Sequence, residues 1–109
     1  MWDPNYILEI VKKRDRRIGA CADTGHWVRS GLNPVDCIRI LKGHIISSHL
    51  KDLNEMAPGA HDVPYGFGVS NVPAILDELT KQGFNGNISV EYEHEMDKSM
   101  PMVAQCIGY

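Results

Sequence analysis

Three short stretches of the chain begin with apolar residues and end on acidic or histidine side chains. They are Ile18–Asp23, Ile45–Asp52 and Ile88–Glu93. Because successive side chains of a strand point to opposite faces, His49 and Lys51 share one face while Leu50 lies on the other. The same alternation puts Glu91 and Glu93 on one face. The pattern predicts three β-strands, each with polar groups at its carboxyl end.

Segments with apolar residues at helical spacing separate these strands. The pairs Asp3-Pro4 and Asn33-Pro34 predict the starts of two helices, because the first residue caps the helix and proline fits its first turn. A third helix is predicted from about Pro73 and a fourth over residues 100–109. The polar segment 53–69 is predicted to be a long loop, of the kind that covers a site or binds a ligand.

The order of these elements predicts an α/β fold with parallel strands. Strands that alternate with helices form βαβ units, and right-handed crossovers bring the strand ends to one edge of the sheet. Proteins of this class carry their sites at that edge. If the three strands are neighbours, Asp23, His49 and Glu91 converge there. The alternative is that each of them caps a helix or forms hydrogen bonds at a loop junction.

Two carboxylates and one imidazole make a mixed oxygen and nitrogen ligand set. Such a set suits Mn²⁺, Zn²⁺, Co²⁺ or Fe²⁺ better than Ca²⁺, and Mg²⁺ is a further candidate. We therefore predict that Asp23, His49 and Glu91 bind one divalent metal. A metal with open positions holds adjacent sugar oxygens and polarises a carbonyl, so that a nearby carboxylate can remove the neighbouring proton. Lys51 is predicted to contact substrate at an enolate oxygen or to form a salt bridge.

Composition limits the class of protein and its partners. The 109 residues, 43% of them hydrophobic, are those of one small globular domain spanning 1–109. The net charge of −3 provides no general attraction for nucleic acid or an anionic membrane, so neither is predicted as a partner. No apolar run approaches the roughly 18 residues of a membrane helix. Three cysteines without metal-type spacing predict free thiols in a reducing compartment, and the expected location is cytoplasmic.

Four motifs follow one another along the chain. They are DTGHW at 23–27, HLKD at 49–52, DVPYGFG at 62–68 and ISVEYE at 88–93. Together they resemble the xylose-isomerase-like sugar phosphate isomerase/epimerase family of TIM barrels, over nearly the whole chain. The resemblance implies that the three strands are the sixth to the eighth of an eight-stranded barrel. It also implies that Asp23, His49 and Glu91 are three of four metal ligands, that His26 contacts substrate oxygens, and that Glu91 exchanges the substrate proton.

The resemblance covers only the C-terminal portion of that fold. A whole TIM barrel takes about 250 residues, and this chain has 109. The family's fourth ligand is a glutamate on the fifth strand, which is also the second acid/base group, and nothing before Asp3 supplies it. We therefore expect a partial barrel of three βα units. Its open sheet edges and uncovered apolar faces predict a homo-oligomer, or a need for the missing N-terminal half.

The expected function is metal-dependent isomerisation or epimerisation of a sugar or sugar phosphate, by proton transfer next to a carbonyl through an enediolate. A dehydratase or lyase acting on a keto-sugar or an inosose would use the same enolate chemistry and then lose a β-hydroxyl. A non-catalytic fragment that acts only in self-assembly is an alternative of another class. The apurinic endonuclease branch of these barrels needs more metal ligands and a basic surface, and the net charge of −3 counts against it.

Four further side chains near these motifs have two interpretations each. His61 and Asp62 either contact substrate or lie solvated on the long loop, and the solvated position is the expected one. Glu93 binds either a substrate hydroxyl or only water. Trp27 either stacks on a sugar ring or packs beneath the loop.

Overall fold

The structure, a computed structural model, describes residues 3–109, so the first two residues of the predicted domain lie outside it. The helices are α1 (Pro4–Val11), α2 (Thr24–Arg29), α3 (Pro34–Ile40), α4 (Val72–Lys81) and α5 (Met100–Gly108), and Met96–Lys98 form one 3₁₀ turn. The strands are β1 (Ala20–Asp23), β2 (Ile45–Leu50), β3 (Asp52–Leu53), β4 (Asp62–Val63) and β5 (Asn87–Val90). Within residues 3–109 no helix combines the length and the apolar character that crossing a bilayer requires.

Strands β1, β2 and β5 form one parallel sheet with β2 at its centre. The predicted α/β architecture is therefore confirmed, and the elements are those of part of a parallel barrel. In this register Asp23, His49 and Ser89 lie level across the three strands. The carboxyl ends of the strands consequently meet at one edge, as the order of elements predicted.

All three predicted strands are shorter than expected. Strand β1 begins at Ala20 instead of Ile18, β2 ends at Leu50 instead of Asp52, and β5 ends at Val90 instead of Glu93. Beyond Val90 the amide of Glu91 still donates to the carbonyl of Leu50 at 3.2 Å, whereas the amide of Glu93 donates to the carboxylate of Asp62 at 2.9 Å. Glu91 and Glu93 therefore lie on an irregular segment that follows the strand.

Two helices begin at the predicted cap and proline. The side chains of Asp3 and Asn33 accept hydrogen bonds from amides in the first turns of α1 and α3. Helix α2 was not predicted, because its six residues are too few to show a helical period. Asp23 caps the amino end of this helix, and its Oδ1 accepts the amide of His26 at 3.0 Å. Such caps stabilise a helix by roughly 0.5–2 kcal/mol.

The hydrophobic core lies between one face of the sheet and the helices that pack on it. The strands contribute Ala20, Ala22 and Leu50. The other buried members are Trp27, Val35, Cys37, Ile38, Leu41, Tyr65, Val72, Ile75, Leu79 and Cys106. Burial of apolar surface on this side of the sheet fixes the strands and leaves the opposite face for other contacts.

The opposite face of the sheet is polar. Strand alternation places Cys21 and Ser47 on the same face as Asp23 and His49, and Asn87 pairs with Ser47 in the register. The expected uncovered apolar surface is not found at these positions, but Ile18, Ile46 and Ile88, which lie in or beside the strands, are 54%, 50% and 40% exposed. Both edges of the sheet do stay open, because β1 and β5 each pair only with β2 within residues 3–109.

The segment predicted to be a long loop contains regular structure. Strand β3 pairs with β4 in an antiparallel ladder of two residues each. Asp52 of β3 is buried, and its carboxylate accepts the amides of Gly66, Gly68 and Ser70 at 2.9–3.0 Å. Three hydrogen bonds to a charged acceptor hold the backbone after β4 in one conformation. Strands this short have no periodicity that a sequence could reveal.

Candidate metal centre

The three predicted ligands converge at the carboxyl ends of the parallel strands. Asp23 ends β1, His49 lies in β2, and Glu91 directly follows β5. One ligand atom of each lies within 4.8 Å of the other two. Nδ1 of His49 is 2.8 Å from Oε2 of Glu91 and 4.0 Å from Oδ2 of Asp23. All three side chains are partly exposed, so a small ligand can reach them from the polar face of the sheet.

The surroundings of Glu91 suit a cation. Among the described residues its Oε2 is buried and forms no hydrogen bond, although Nδ1 of His49 is only 2.8 Å away. The ammonium group of Lys51 lies 3.3 Å from this oxygen, so a positive charge already faces it without a hydrogen bond. Two atoms bound at about 2.1 Å in adjacent positions of one metal lie about 3 Å apart, close to the observed separation. The ligand types, and an oxygen of Glu91 that has no hydrogen bond among the described residues, therefore fit Mn²⁺, Zn²⁺ or a similar metal.

Asp23 joins the ligand cluster to helix α2. Its Oδ1 caps the helix, while its Oδ2 lies 3.4 Å from Nε2 of His26 and faces His49. The capping contact orients the carboxylate and leaves one oxygen directed at the cluster. His26 consequently lies beside the predicted ligands, where the predicted contact with substrate oxygens would be made.

Lys51 adjoins the cluster and is almost fully buried. Its side chain is 1% exposed, and Nζ binds the carboxylate of Glu93 and lies 3.3 Å from Oε2 of Glu91. Burial opposes the charged form, but the bond to Glu93 and the negative charges of Asp23, Asp62 and Glu91 outweigh it, so the pKa of Lys51 is raised. The same bond lowers the pKa of Glu93. The salt bridge predicted as one alternative is therefore present, and contact with substrate stays a prediction.

The DTG segment of the first motif holds Lys51 in place. The hydroxyl of Thr24 accepts the amide of Lys51 at 2.9 Å and lies 3.1 Å from its carbonyl oxygen. Gly25 leaves room for the Lys51 stem, because a Cβ at position 25 would lie 2.6 Å from Cδ and 3.1 Å from Cβ of that lysine. The spacing of the motif thus reflects contact between α2 and the end of β2.

The structure also brings Arg29 and Asp62 to the edge of the cluster. Asp62 is 2% exposed, and its Oδ1 lies 3.7 Å from Nη2 of Arg29. The expected solvated position is wrong for Asp62, because β4 turns this side chain inward, whereas His61 is exposed as expected. Arg29 was not singled out from the sequence, since its spacing in the chain gives no sign of its partner.

Trp27 shows one of its two predicted contacts, and Glu93 shows neither of its two. Trp27 is buried in the hydrophobic core, so the structure shows packing. Glu93 binds Lys51, an alternative that the sequence analysis did not consider for it.

Parallel βα units with two carboxylates and an imidazole at their carboxyl edge are consistent with part of a TIM barrel. A family profile described as xylose isomerase-like TIM barrel matches residues 2–105. The chain belongs to this xylose-isomerase-like family, and the resemblance of its motifs is thereby confirmed.

Two curated relatives share the same region. The rhizopine catabolism protein MocC of Rhizobium meliloti is 30% identical over 127 aligned positions, which cover 94% of this chain and 38% of the relative. An inosose dehydratase of Mesomycoplasma hyopneumoniae strain 7448 is 29% identical over 96 positions, which cover 73% of this chain and 32% of the relative. The chain thus spans less than two-fifths of the length of either protein.

Two solved structures are similar over 96% of this chain and 40% of their own length. A D-tagatose 3-epimerase-like protein has a TM-score of 0.69 and 29% identity. A xylose isomerase domain protein from Planctomyces limnophilus has a TM-score of 0.78 at 19% identity, a likeness of fold alone. Both are consistent with the partial barrel that the sequence predicted.

Proposed function

We propose that Asp23, His49 and Glu91 bind a divalent metal, and that the chain is the C-terminal portion of a metal-dependent isomerase or epimerase of a sugar or sugar phosphate. The observation that carries this proposal is the approach of one ligand atom from each residue to within 4.8 Å of the others. Membership of a xylose-isomerase-like family supports a carbohydrate substrate. A cytoplasmic location is part of the same proposal.

Glu91 is the proposed catalytic residue. A bound metal of this type would hold adjacent sugar oxygens and polarise the carbonyl, which acidifies the neighbouring C–H bond. In the proposed reaction a carboxylate oxygen of Glu91 takes this proton, and the substrate passes through an enediolate. Lys51 holds that carboxylate from one side, at 3.3 Å. Its position supports a Glu91 carboxylate that is fixed in direction.

His26 and Lys51 are the proposed substrate contacts. The imidazole of His26 is partly exposed at the edge of the ligand cluster, and its position beside Asp23 supports a hydrogen bond to a substrate hydroxyl. Lys51 is more restricted, because its ammonium group already binds Glu93. A substrate oxygen that reaches Nζ would have to share it with the two carboxylates.

The described residues provide three ligands for the proposed metal. Sites with three protein ligands leave positions for water or substrate, and they bind metal less tightly than closed sites. We propose that the fourth ligand of the family pattern comes from outside residues 3–109, in another chain or in a further part of a longer one. Weak metal binding by this chain alone is the corresponding expectation.

A dehydratase is the second candidate function. It is favoured by one specific observation, the 29% identity with proteins named inosose dehydratase over 73% of the chain. The same proposed ligands and base would serve the first step, which removes a proton next to the carbonyl of an inosose or a keto-sugar. The reactions then differ in their second step, because a dehydratase expels a β-hydroxyl as water.

The experiment that separates these functions follows protons and water in one sample. The Mn²⁺-treated chain, complemented by the polypeptide that supplies the fourth ligand, is incubated in deuterated water with a set of ketoses and with an inosose, and the products are identified by NMR. Deuterium next to the carbonyl without loss of water supports the isomerase or epimerase, and a dehydrated product supports the dehydratase. If the complemented chain binds metal and forms neither product, both candidate functions are contradicted, and the non-catalytic fragment is the remaining interpretation.

The Glu91→Gln variant tests the catalytic residue in that assay. It preserves the shape of the side chain but removes the charge, so turnover is expected to fall by roughly 10²–10⁴-fold. Glu95→Gln is a matched control, because Glu95 is exposed and pairs with Lys98 away from the ligands. Equal turnover in the two variants would overturn the assignment of Glu91.

A further inference from the structure

The segment that carries Glu91 depends on few backbone contacts. It has left the sheet after Val90, and residues 91–93 have no regular secondary structure. The amide of Glu91 donates to the carbonyl of Leu50 at 3.2 Å, and the amide of Glu93 donates to Oδ2 of Asp62 at 2.9 Å. Of these two backbone amides around the predicted ligand, the one at Glu93 is therefore held by a side chain, that of Asp62.

That side chain is itself held by a cation. Asp62 is 2% exposed, so its charge is removed from water, and its Oδ1 forms no hydrogen bond among the described residues. Nη2 of Arg29 lies 3.7 Å from this oxygen, and Nε of Arg29 donates to the carbonyl of Ala60 at 3.0 Å. A buried carboxylate without a counter-charge would be strongly destabilising. Arg29 thus supplies a positive charge opposite the buried carboxylate that accepts the Glu93 amide.

Arg29 also links the predicted ligand Asp23 to the segment that carries the predicted ligand Glu91. It belongs to α2, and Asp23 caps the amino end of that helix. The chain of contacts therefore runs from the Asp23 ligand through α2 to Arg29, then through Asp62 to the backbone that follows Glu91. Its two ends meet again at the ligand cluster, where Asp23 and Glu91 both face His49.

We propose that Arg29 and Asp62 are positioning residues, which hold the segment after Glu91 so that its carboxylate faces His49 and Asp23. This inference rests on the proposed metal-binding function of those three residues. Neither Arg29 nor Asp62 contacts the metal or the substrate in this account. Partners that orient metal ligands typically contribute 10–100-fold to metal affinity.

The test compares the wild-type chain with three variants. Asp62→Ala removes the acceptor of the Glu93 amide. Asp62→Asn keeps an oxygen that can accept this amide but removes the charge opposite Arg29. Glu78→Ala is the matched control, because Glu78 is also a largely buried carboxylate and binds Arg39 at 3.1 Å away from the ligands. For each protein, amide exchange at Glu93 without metal, the dissociation constant for Mn²⁺ and the urea midpoint are measured.

Asp62→Ala is expected to speed exchange of the Glu93 amide by about tenfold or more, since a hydrogen bond to a charged group contributes about 1.5–3 kcal/mol. It is also expected to weaken Mn²⁺ binding by about 10–100-fold. Asp62→Asn should retain slower exchange than Asp62→Ala. Glu78→Ala should leave the exchange rate at Glu93 and the Mn²⁺ affinity within about twofold of wild type, at a similar loss of stability. If a general loosening of the fold were the cause, Glu78→Ala would change both quantities as much as Asp62→Ala does.

Two results would overturn the inference. One is unchanged exchange at Glu93 in Asp62→Ala, and the other is an equal loss of Mn²⁺ affinity in Asp62→Ala and Glu78→Ala. If the wild-type chain binds no Mn²⁺, the proposed function fails, and the exchange measurement still decides whether Asp62 holds this segment. If Asp62→Ala does not fold, amide exchange at Glu93 is compared in Asp62→Asn, in Arg29→Met and in the double variant Arg29→Met/Asp62→Asn. Exchange at Glu93 should be slower in the double variant, in which both side chains are neutral, than in Arg29→Met, which leaves the Asp62 carboxylate without its cation.

Discussion

Gly25→Ala tests the packing between helix α2 and the buried Lys51. The added Cβ would lie 2.6 Å from Cδ, 3.1 Å from Cβ and 3.3 Å from Cγ of Lys51. The lysine cannot retreat, because Thr24 accepts its amide at one end and Glu93 binds its ammonium group at the other. The substitution therefore forces a displacement of α2 or of the ammonium group, or both.

The expected magnitude is the difference between two effects. Overpacking of a well-filled interior costs about 1–3 kcal/mol. Alanine in place of glycine inside a helix returns roughly 0.5–1 kcal/mol. Because the contact at 3.1 Å is with a Cβ that cannot rotate away, the cost lies in the upper part of its range. The predicted net loss for Gly25→Ala is about 1–2 kcal/mol of unfolding free energy.

Urea unfolding measures this loss. With a slope of about 1–3 kcal/mol/M, the midpoint of Gly25→Ala should fall by roughly 0.3–2 M. Gly59→Ala is the control, because no atom lies within 4 Å of its added Cβ and its φ is not positive. It should be neutral or stabilising by up to about 1 kcal/mol. A Gly25→Ala chain as stable as the Gly59→Ala chain would refute the packing argument.

Three further predictions concern assembly and the thiols. The open edges of β1 and β5 should cause self-association, which sedimentation velocity at micromolar concentration measures. A monodisperse monomer would contradict this prediction. Cys21 is exposed while Cys37 and Cys106 are buried, so iodoacetamide at pH 8 should modify one thiol in the folded chain and three in urea. Burial raises the pKa of the Cys37 thiol from 9.0 to about 11, so the neutral thiol is favoured in the folded state, and unfolding free energy should fall as pH rises across this range. Urea midpoints at pH 8 and 10.5 should therefore fall further in wild type than in Cys37→Ala, and equal falls would contradict this.

The sequence predicted the elements that local chemistry specifies. The cap and proline pairs at Asp3-Pro4 and Asn33-Pro34 fixed two helix starts, since capping needs only neighbouring residues. Apolar runs ending in Asp23 and His49 gave strands whose ends meet, because parallel βα topology brings carboxyl ends together. The convergence of the predicted ligands follows from these two local patterns and one topological rule.

The remaining features depend on contacts between distant parts of the chain. The bond between Asp62 and the Glu93 amide joins residues 31 positions apart, and the partnership of Lys51 with Glu93 joins residues 42 apart. No short window of sequence reveals such pairs, so Asp62 was expected in solvent. Helix α2 was missed for a different reason, because its six residues give too little periodicity to separate a helix from a turn.

The most direct test of the central claim is a calorimetric titration of the chain with Mn²⁺. Wild type is compared with His49→Ala and with His44→Ala, a histidine five residues earlier and thus about 16 Å away along the strand. We expect weak binding by wild type, a loss of at least about tenfold in affinity for His49→Ala, and a change within about twofold for His44→Ala. Absence of Mn²⁺ binding by the folded wild-type chain, or equal effects of the two histidine variants, would contradict the proposed metal centre.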